Sequence, residues 1–463
     1  MKPTVVILAA GLGTRMKSGI AKALHPLAGR PMVRHVLDAA ASLDVEKIVL
    51  VVGHQADAIR KAVEQYRIEI VYQAEQLGTG HAVRQAKNAV STVEGPVVVL
   101  CADTPLLTAD TLSGLVSMHT ASGAAVTILT AEVRDPSGYG RIVRDEHGIK
   151  AVVEEKDAAA GQKKIREVNT GVYCFDKNFL LASLDAIQND NAQAEYYLPD
   201  AVALARNRGL IVSTFECMDP DEAMGVNTRL DLSRAEEIMA ERINKKWMLA
   251  GVTMPRPKDV FVGLDVVLGQ DVTIYENVRI EGMTEIGEGS IIYSGVRISD
   301  SIIGRGVVVK DCSVIEQSTV SDNAFIGPFA HLRPGSVIGA RAKIGNFVEV
   351  KKSKVGEGSK ANHLAYIGDA DIGSEVNIGA GVITCNYDGF EKHATVIEDN
   401  VFVGSDSQLV APVRIGRGAV VAAGATITKD VPPDALAIGR APQENKEGLA
   451  EKRRKAKVKK RKA

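Results

Sequence analysis

The chain has 463 residues, 45% hydrophobic and 24% charged, which points to a soluble globular protein of two or more domains rather than one compact core. Its formal net charge is -1, but residues 451–463 hold nine Lys or Arg against one Glu, so the rest of the chain carries about -9. Five scattered cysteines without a CxxC pair argue against a zinc ribbon or a disulfide framework, and no signal peptide or membrane span is evident, so a reducing cytoplasm is the expected location.

Residues 4–10 read Thr-Val-Val-Ile-Leu-Ala-Ala, a continuous apolar run suited to a central strand of a buried parallel sheet. Gly11-Leu12-Gly13-Thr14-Arg15-Met16 follows directly. Glycines after a strand let backbone N–H groups approach phosphates. The loop is not a Walker A motif, because no Gly-Lys-Ser/Thr follows, and it lacks the third glycine of the dinucleotide fingerprint. Arg15 and Lys22 set it apart, as two cations just past the loop where a triphosphate can lie. The alternative is a tight turn with solvated cations. Apolar runs at 47–52 and 96–101 then alternate with helical patterns at 31–41 and 80–90, the βαβ rhythm of an α/β sheet. Gln73 opens a polar stretch that leads into the second of these helices. The run ending in Cys101-Ala102-Asp103 puts a carboxylate just past a strand, where such sheets bind ligands and where Mg²⁺ finds a hard oxygen. Cys101 itself reads as a small hydrophobe ending a strand, not as a reactive thiol.

Gln76-Leu77-Gly78-Thr79-Gly80, Gly138-Tyr139-Gly140-Arg141, Val153-Glu154-Glu155-Lys156, Asn169-Thr170-Gly171 and Gly225-Val226-Asn227 follow in order. With the first loop and Lys22, this set resembles the sugar-1-phosphate nucleotidyltransferases. The resemblance implies a Rossmann-like α/β domain that binds UTP. Leu8, Ala9, Ala10, Gly11, Gln73, Gly78 and Thr79 would hold the uridine nucleotide, and Cys101 and Ala102 would line the nucleotide and sugar pocket. Arg15 and Lys22 would bind and stabilise the phosphates, Gly140, Glu154 and Asn169 the sugar, and Asp103 and Asn227 a Mg²⁺ ion. Members usually carry Tyr-Gly-Asp where this chain has Cys101-Ala102-Asp103. The carboxylate is kept, but whatever contact the tyrosine makes is not carried over. The chemistry is in-line attack of a sugar phosphate oxygen on the α-phosphorus of UTP with loss of pyrophosphate, which needs positioning and cations but no protein nucleophile.

Residues 230–247 read as an amphipathic linker helix, with Leu232, Ala235, Met239 and Ile243 on one face. Beyond it, an aliphatic residue recurs every six positions from Leu268 through Ile274, Ile280, Ile286, Ile292 and Ile298. With occasional five-residue steps the stripe continues through Val355, Ile367, Ile372 and Ile378 and returns from Ile397 to Ile427. Two positions earlier runs a smaller stripe, Val266, Val272, Val278, Ser290, Val296, Ser301 and Val307. A six-residue period fits no helix face and is too long for strand alternation. It fits a parallel β-helix with triangular coils. Arg333, Glu349, Lys351 and Lys352 flank the stripe, and His363 lies in the polar stretch 359–366, where an exposed turn histidine is the alternative. Residues 385–394, with Asn386-Tyr387-Asp388-Gly389-Phe390, add seven residues to one six-residue step. A loop ejected from a solenoid is often a binding element.

Arg333, Lys351, Asn362-His363-Leu364, Tyr366-Ile367-Gly368-Asp369, Asn377-Ile378-Gly379-Ala380-Gly381 and Cys385-Asn386-Tyr387-Asp388-Gly389 resemble the bifunctional N-acetylglucosamine-1-phosphate uridyltransferase/glucosamine-1-phosphate acetyltransferase family. The likeness runs over the whole chain except the tail. It implies left-handed coils of hexapeptide repeats, with His363 as general base toward a substrate amine. Arg333 and Lys351 would hold the sugar phosphate, and Tyr366 and Asn377 would contact the sugar. Ala380, Asn386, Tyr387, Ser405, Ala423 and Arg440 would line an acetyl-CoA site, in a homotrimer whose sites lie between neighbouring coils. The expected organisation is a uridyltransferase domain at 1–229, a helical linker at 230–250, an acetyltransferase β-helix at 251–445 and a solvated, disordered basic tail at 446–463 with no specific nucleic-acid partner. Two other readings stay open: a nucleotidyltransferase whose coils only assemble or regulate it, and a sugar-nucleotide-binding scaffold without chemistry.

Overall fold

The computed structural model describes residues 1–462 and divides by internal contacts into two units, Met1–Ile243 and a second beginning at Asn244. The expected linker is the helix Arg229–Leu249, which crosses that division. Of the apolar face read from the sequence, Ala235, Met239 and Ile243 are buried and Leu232 is half-buried.

The first unit is built on β1 (Thr4–Ala9), β2 (Lys47–Val52), β3 (Glu69–Tyr72), β4 (Val97–Cys101), β5 (Val126–Glu132), β6 (Gly140–Asp145), β7 (Gly148–Val153), β8 (Glu167–Phe175) and β9 (Val212–Glu216). The sheet order is β9-β5-β8-β4-β1-β2-β3, with the β6–β7 hairpin paired to β8. β1 runs parallel to both β2 and β4. Val5, Val6, Ile7 and Val97 through Leu100 are fully buried, which is why these strands read as unbroken apolar runs. Parallel alternation does not extend to β8, which is antiparallel to β4 and β5. β8 also bulges between Asn169 and Tyr173, where the hairpin joins it. The helix expected at 80–90 is two helices, Thr79–Gln85 and Lys87–Ser91, because the Ala86 N–H turns to Val83 O at 2.9 Å.

The second unit is a left-handed parallel β-helix, whose short strands stack into three sheets of 10, 9 and 10 strands. The aliphatic stripe is buried along its whole length. Ala361 and Thr384 fill the two places where the stripe lacks a large residue. The Thr384 hydroxyl is satisfied there by Gly368, accepting from its N–H at 2.8 Å and donating to its carbonyl at 3.0 Å. The polar members of the second stripe do the same. Ser290 Oγ donates to Gly304 O at 2.9 Å and accepts from Val307 N–H at 3.0 Å, one coil later.

In the tail, expected to be solvated and disordered, Leu449–Lys462 form a helix whose residues 449–458 are exposed. Leu, Ala, Glu, Lys and Arg are strong helix formers, and Glu451 pairs with Lys455 one turn on at 2.6 Å. The charge that kept this segment out of a core keeps the helix in solvent. Ala463 lies outside the described residues.

Candidate active sites

β1 and β4 are neighbours, with Leu8 opposite Cys101, so the loops at their carboxyl ends emerge side by side. With the helix that starts at Thr79 they enclose a cavity of about 460 Å³. Leu8, Ala9, Ala10, Gly11, Gln73, Gly78, Thr79, Cys101, Ala102 and Asp103 line it, and so do Arg15, Lys22 and Asn227. Buried Gln73 is held by His81 Nδ1 at 3.0 Å, and the Thr79 hydroxyl accepts from Leu198 N–H at 3.0 Å. The cations already have oxygen partners. Lys22 Nζ contacts Asp103 Oδ2 and lies 3.0 Å from Asn227 Oδ1. Arg15 donates to the same amide oxygen at 2.8 Å. Asp103 and Asn227 thus turn two hard oxygens toward one ammonium group. Among the described residues no group of three His, Cys, Asp or Glu could hold a metal ion.

Gly140, Glu154 and Asn169 form a second group. Pairing of β6 with β8 puts Gly140 opposite Asn169, and a Cβ on Gly140 would lie 3.1 Å from Glu154 Oε1, so a glycine leaves the carboxylate its place. Burial raises the pKa of Glu154, and neighbouring Asp157 and Asp200 add to the rise. The same causes, burial and Asp157, push Asp200 up to about 6. Cys101 lies between the groups. It is half-buried and lines the cavity. Burial and the nearby Asp103 push its thiol up to about 12, so it stays a neutral lining group. Arg141 of the Gly138–Arg141 motif is structural: its guanidinium is buried and pairs with Glu155 at 2.6 Å.

In the second unit the sequence-predicted residues gather at one corner of the coils. Glu349–Lys351, Tyr366–Gly368 and Ile383–Cys385 are successive rungs of one face, and Lys343–Asn346, Lys360–His363 and Asn377–Ile378 of the face before it. Arg333 pairs with Glu349 at 2.8 Å. Lys351 lies 3.7 Å from Asp369, whose carboxylate also binds buried Asn386. The Tyr366 ring lies over Gly368, where a Cβ would meet its hydroxyl at 2.5 Å. His363 is exposed, and its Nδ1 lies 2.6 Å from Asn346 Oδ1. That amide oxygen only accepts, so Nδ1 carries the hydrogen and Nε2 keeps a free lone pair.

The register continues the His363 column through Ala380, Ser405 and Ala423, a run of small residues, and Arg440 approaches the next position at Gly424. The inserted loop is folded. Asp388 accepts N–H groups from Glu391 and Phe390 at 2.7 and 2.8 Å and the His393 ring at 2.8 Å, which hold its carboxyl well below the usual range. Tyr387 is exposed, with its hydroxyl donated to Gly389 O at 2.6 Å.

Sequence reasoning missed Asn346, Asp369 and Lys392 as members of this corner. Lys392 stands beside Lys351, and that like charge lowers the pKa of Lys392. A signal existed for two of them. His363 and Asn346 are 17 residues apart, as are Asn386 and Asp369, and 17 is one coil. Lys392 sits in the insertion, where the period gives no address.

Residues 5–191 match the MobA-like NTP transferase domain family, and residues 318–352 and 394–429 match the six-repeat bacterial transferase hexapeptide family. Among curated proteins, the chain is 50% identical over 448 residues to the bifunctional protein GlmU of Shouchella clausii, covering 96% of this chain and 98% of that one. It is 52% identical to the protein of that name from Pelobacter propionicus, covering 96% and 97%. The Listeria innocua protein is 48% identical, covering 97% and 98%.

Proposed function

This chain belongs to the bifunctional GlmU family, and from that premise we propose how two reactions are divided among its residues. It is a two-step enzyme of UDP-N-acetylglucosamine synthesis, acetylating glucosamine 1-phosphate and then transferring UMP from UTP to the acetylated sugar phosphate. The observation that carries the assignment of the first step is the orientation of His363 by Asn346. Nε2 takes a proton from the substrate amine as its nitrogen attacks the thioester carbonyl of acetyl-CoA and the thiol of CoA leaves. Arg333 and Lys351 receive the sugar phosphate, with Lys392 as a third cation, and Tyr366 and Asn377 contact the ring. The small residues Ala380, Ser405 and Ala423 leave a flat track for the acetyl-CoA arm, flanked by Asn386, Tyr387 and Arg440.

For the second step, Leu8 through Gly11, Gln73, Gly78 and Thr79 hold uridine, and Arg15 and Lys22 stabilise charge on the phosphates as the sugar phosphate attacks. Gly140, Glu154 and Asn169 hold the sugar, in a pocket lined by Cys101 and Ala102. Asp103 and Asn227 would hold Mg²⁺, which when bound neutralises phosphate charge.

The working form is a homotrimer in the cytoplasm. Phe329, Phe347 and Leu364 follow one another along the corner beside His363, at 50%, 58% and 63% exposure, with the two rings stacked at 5.4 Å. Phe390 at the tip of the loop is 93% exposed. Both features support a neighbouring copy packing there and completing the acetyl-CoA site. The free thiols of Cys101, Cys174, Cys217, Cys312 and Cys385 support a reducing compartment.

The test is to incubate the protein with glucosamine 1-phosphate, acetyl-CoA, UTP and Mg²⁺ and follow CoA, pyrophosphate and UDP-N-acetylglucosamine by mass spectrometry. All three are expected. Product formed only when N-acetylglucosamine 1-phosphate is supplied would leave the coils a structural role.

A further inference from the structure

The helix Leu449–Lys462 takes no part in either reaction, and its construction is specific. Fourteen residues make a rod about 21 Å long at ~1.5 Å per residue. With its last residue the segment 451–463 carries nine Lys or Arg and one Glu, a net charge of +8. That is a line of charge close to that of duplex nucleic acid, which presents about one negative charge per ~1.7 Å. The described cations do not share a face. At the helical angle, Lys452, Arg453, Arg454, Lys455 and Lys457 point round the whole circumference, and all are exposed. The apolar residues form no stripe either, since Val458 falls opposite Leu449 and Ala456. A helix that lies on a membrane needs an apolar face to bury, and this one has none. A flat anionic surface would also meet only about half of its cations. A groove walled by phosphates on both sides meets nearly all, and the major groove of DNA, about 12 Å wide, admits a rod of ~10–12 Å.

We propose that the helix Leu449–Lys462 binds nucleic acid, docking in the groove of a duplex through its phosphates, without reading bases. The rest of the chain, at about -9, repels the same ligand, so binding belongs to the helix alone.

The experiment measures fluorescence anisotropy of a labelled DNA duplex of about 20 base pairs with the full chain and with a variant ending at Asn445, from about 50 to 200 mM salt. Expected are binding to the full chain, a slope of log K against log salt between about -4 and -7, and indifference to duplex sequence. The truncated variant and the fourfold variant Lys452→Glu, Arg453→Glu, Arg454→Glu, Lys455→Glu should lose binding and keep both enzymatic activities. Equal binding by the truncated variant would overturn the proposal. So would no binding at the lowest salt, or tighter binding to phosphatidylserine vesicles than to the duplex at equal salt.

Discussion

The two sites come by their positive charge in different ways. In the first unit, Arg15 and Lys22 reach across loops that are distant in sequence and are already paired with Asn227 and Asp103. In the second, Arg333 and Lys351 come from adjacent coils, each with one carboxylate partner, and Lys392 is pressed against Lys351. An α/β sheet gathers its functional groups where the strand order brings loops together, and there it can match charge with charge. A solenoid gathers them by translation. Residues one coil apart must be neighbours, so Arg333, Lys351 and Lys392 meet at one corner with two carboxylates, Glu349 and Asp369, among them.

The first way to break that contrast is to remove the central group of the second site. His363→Ala should lower CoA release by roughly 10²–10⁴-fold while pyrophosphate release from UTP and N-acetylglucosamine 1-phosphate is unchanged. Lys22→Ala is the counterpart. Its uridyl transfer should fall by roughly 10²–10³-fold, about 3–4 kcal/mol of barrier, with CoA release untouched. A smaller effect is expected at the crowded cation. Lys392→Ala should raise KM for glucosamine 1-phosphate by roughly tenfold with little change in kcat, the loss of one phosphate contact. The lowered pKa of Lys392 makes its charge the first of the three to be lost as pH rises, so the intact enzyme should show an alkaline rise in KM that the variant lacks.

The smallest effect is on stability and belongs to the first unit. Asp200 has its carboxyl raised from 3.8 to about 6, so the folded chain holds its proton where the unfolded chain has released it. Its contribution to stability therefore falls as pH rises from about 4 to about 6. Asp200→Asn should raise Tm above pH 7 and give no gain below pH 4, read by thermal scans of both proteins across that range.

Periodicity decided what could be read in advance. In the coils each stripe position has one structural meaning, and the buried residues are those the six-residue step selects. Two six-residue steps and one of five, a single coil, locate Asn346 beside His363. In the first unit β1 and β4 were legible because a central strand is apolar on both faces. The reversal of β8 was not, since direction depends on which edge the β6–β7 hairpin joins and not on any local pattern. Lys22 could be placed past the glycine loop, but its pairing with Asn227 spans 205 residues and no spacing encodes it. The tail shows the opposite case. Charge argued for disorder, yet the same Lys, Arg, Glu and Ala residues are good helix formers, and without a core to join, local propensity decides.

The central claim is that one chain carries two chemically separate sites, and it is tested most directly by giving His363→Ala each of two substrates in the presence of acetyl-CoA, UTP and Mg²⁺. UDP-N-acetylglucosamine should form at the full rate from N-acetylglucosamine 1-phosphate and scarcely at all from glucosamine 1-phosphate. Undiminished product from glucosamine 1-phosphate, or loss of product from both, would contradict the account.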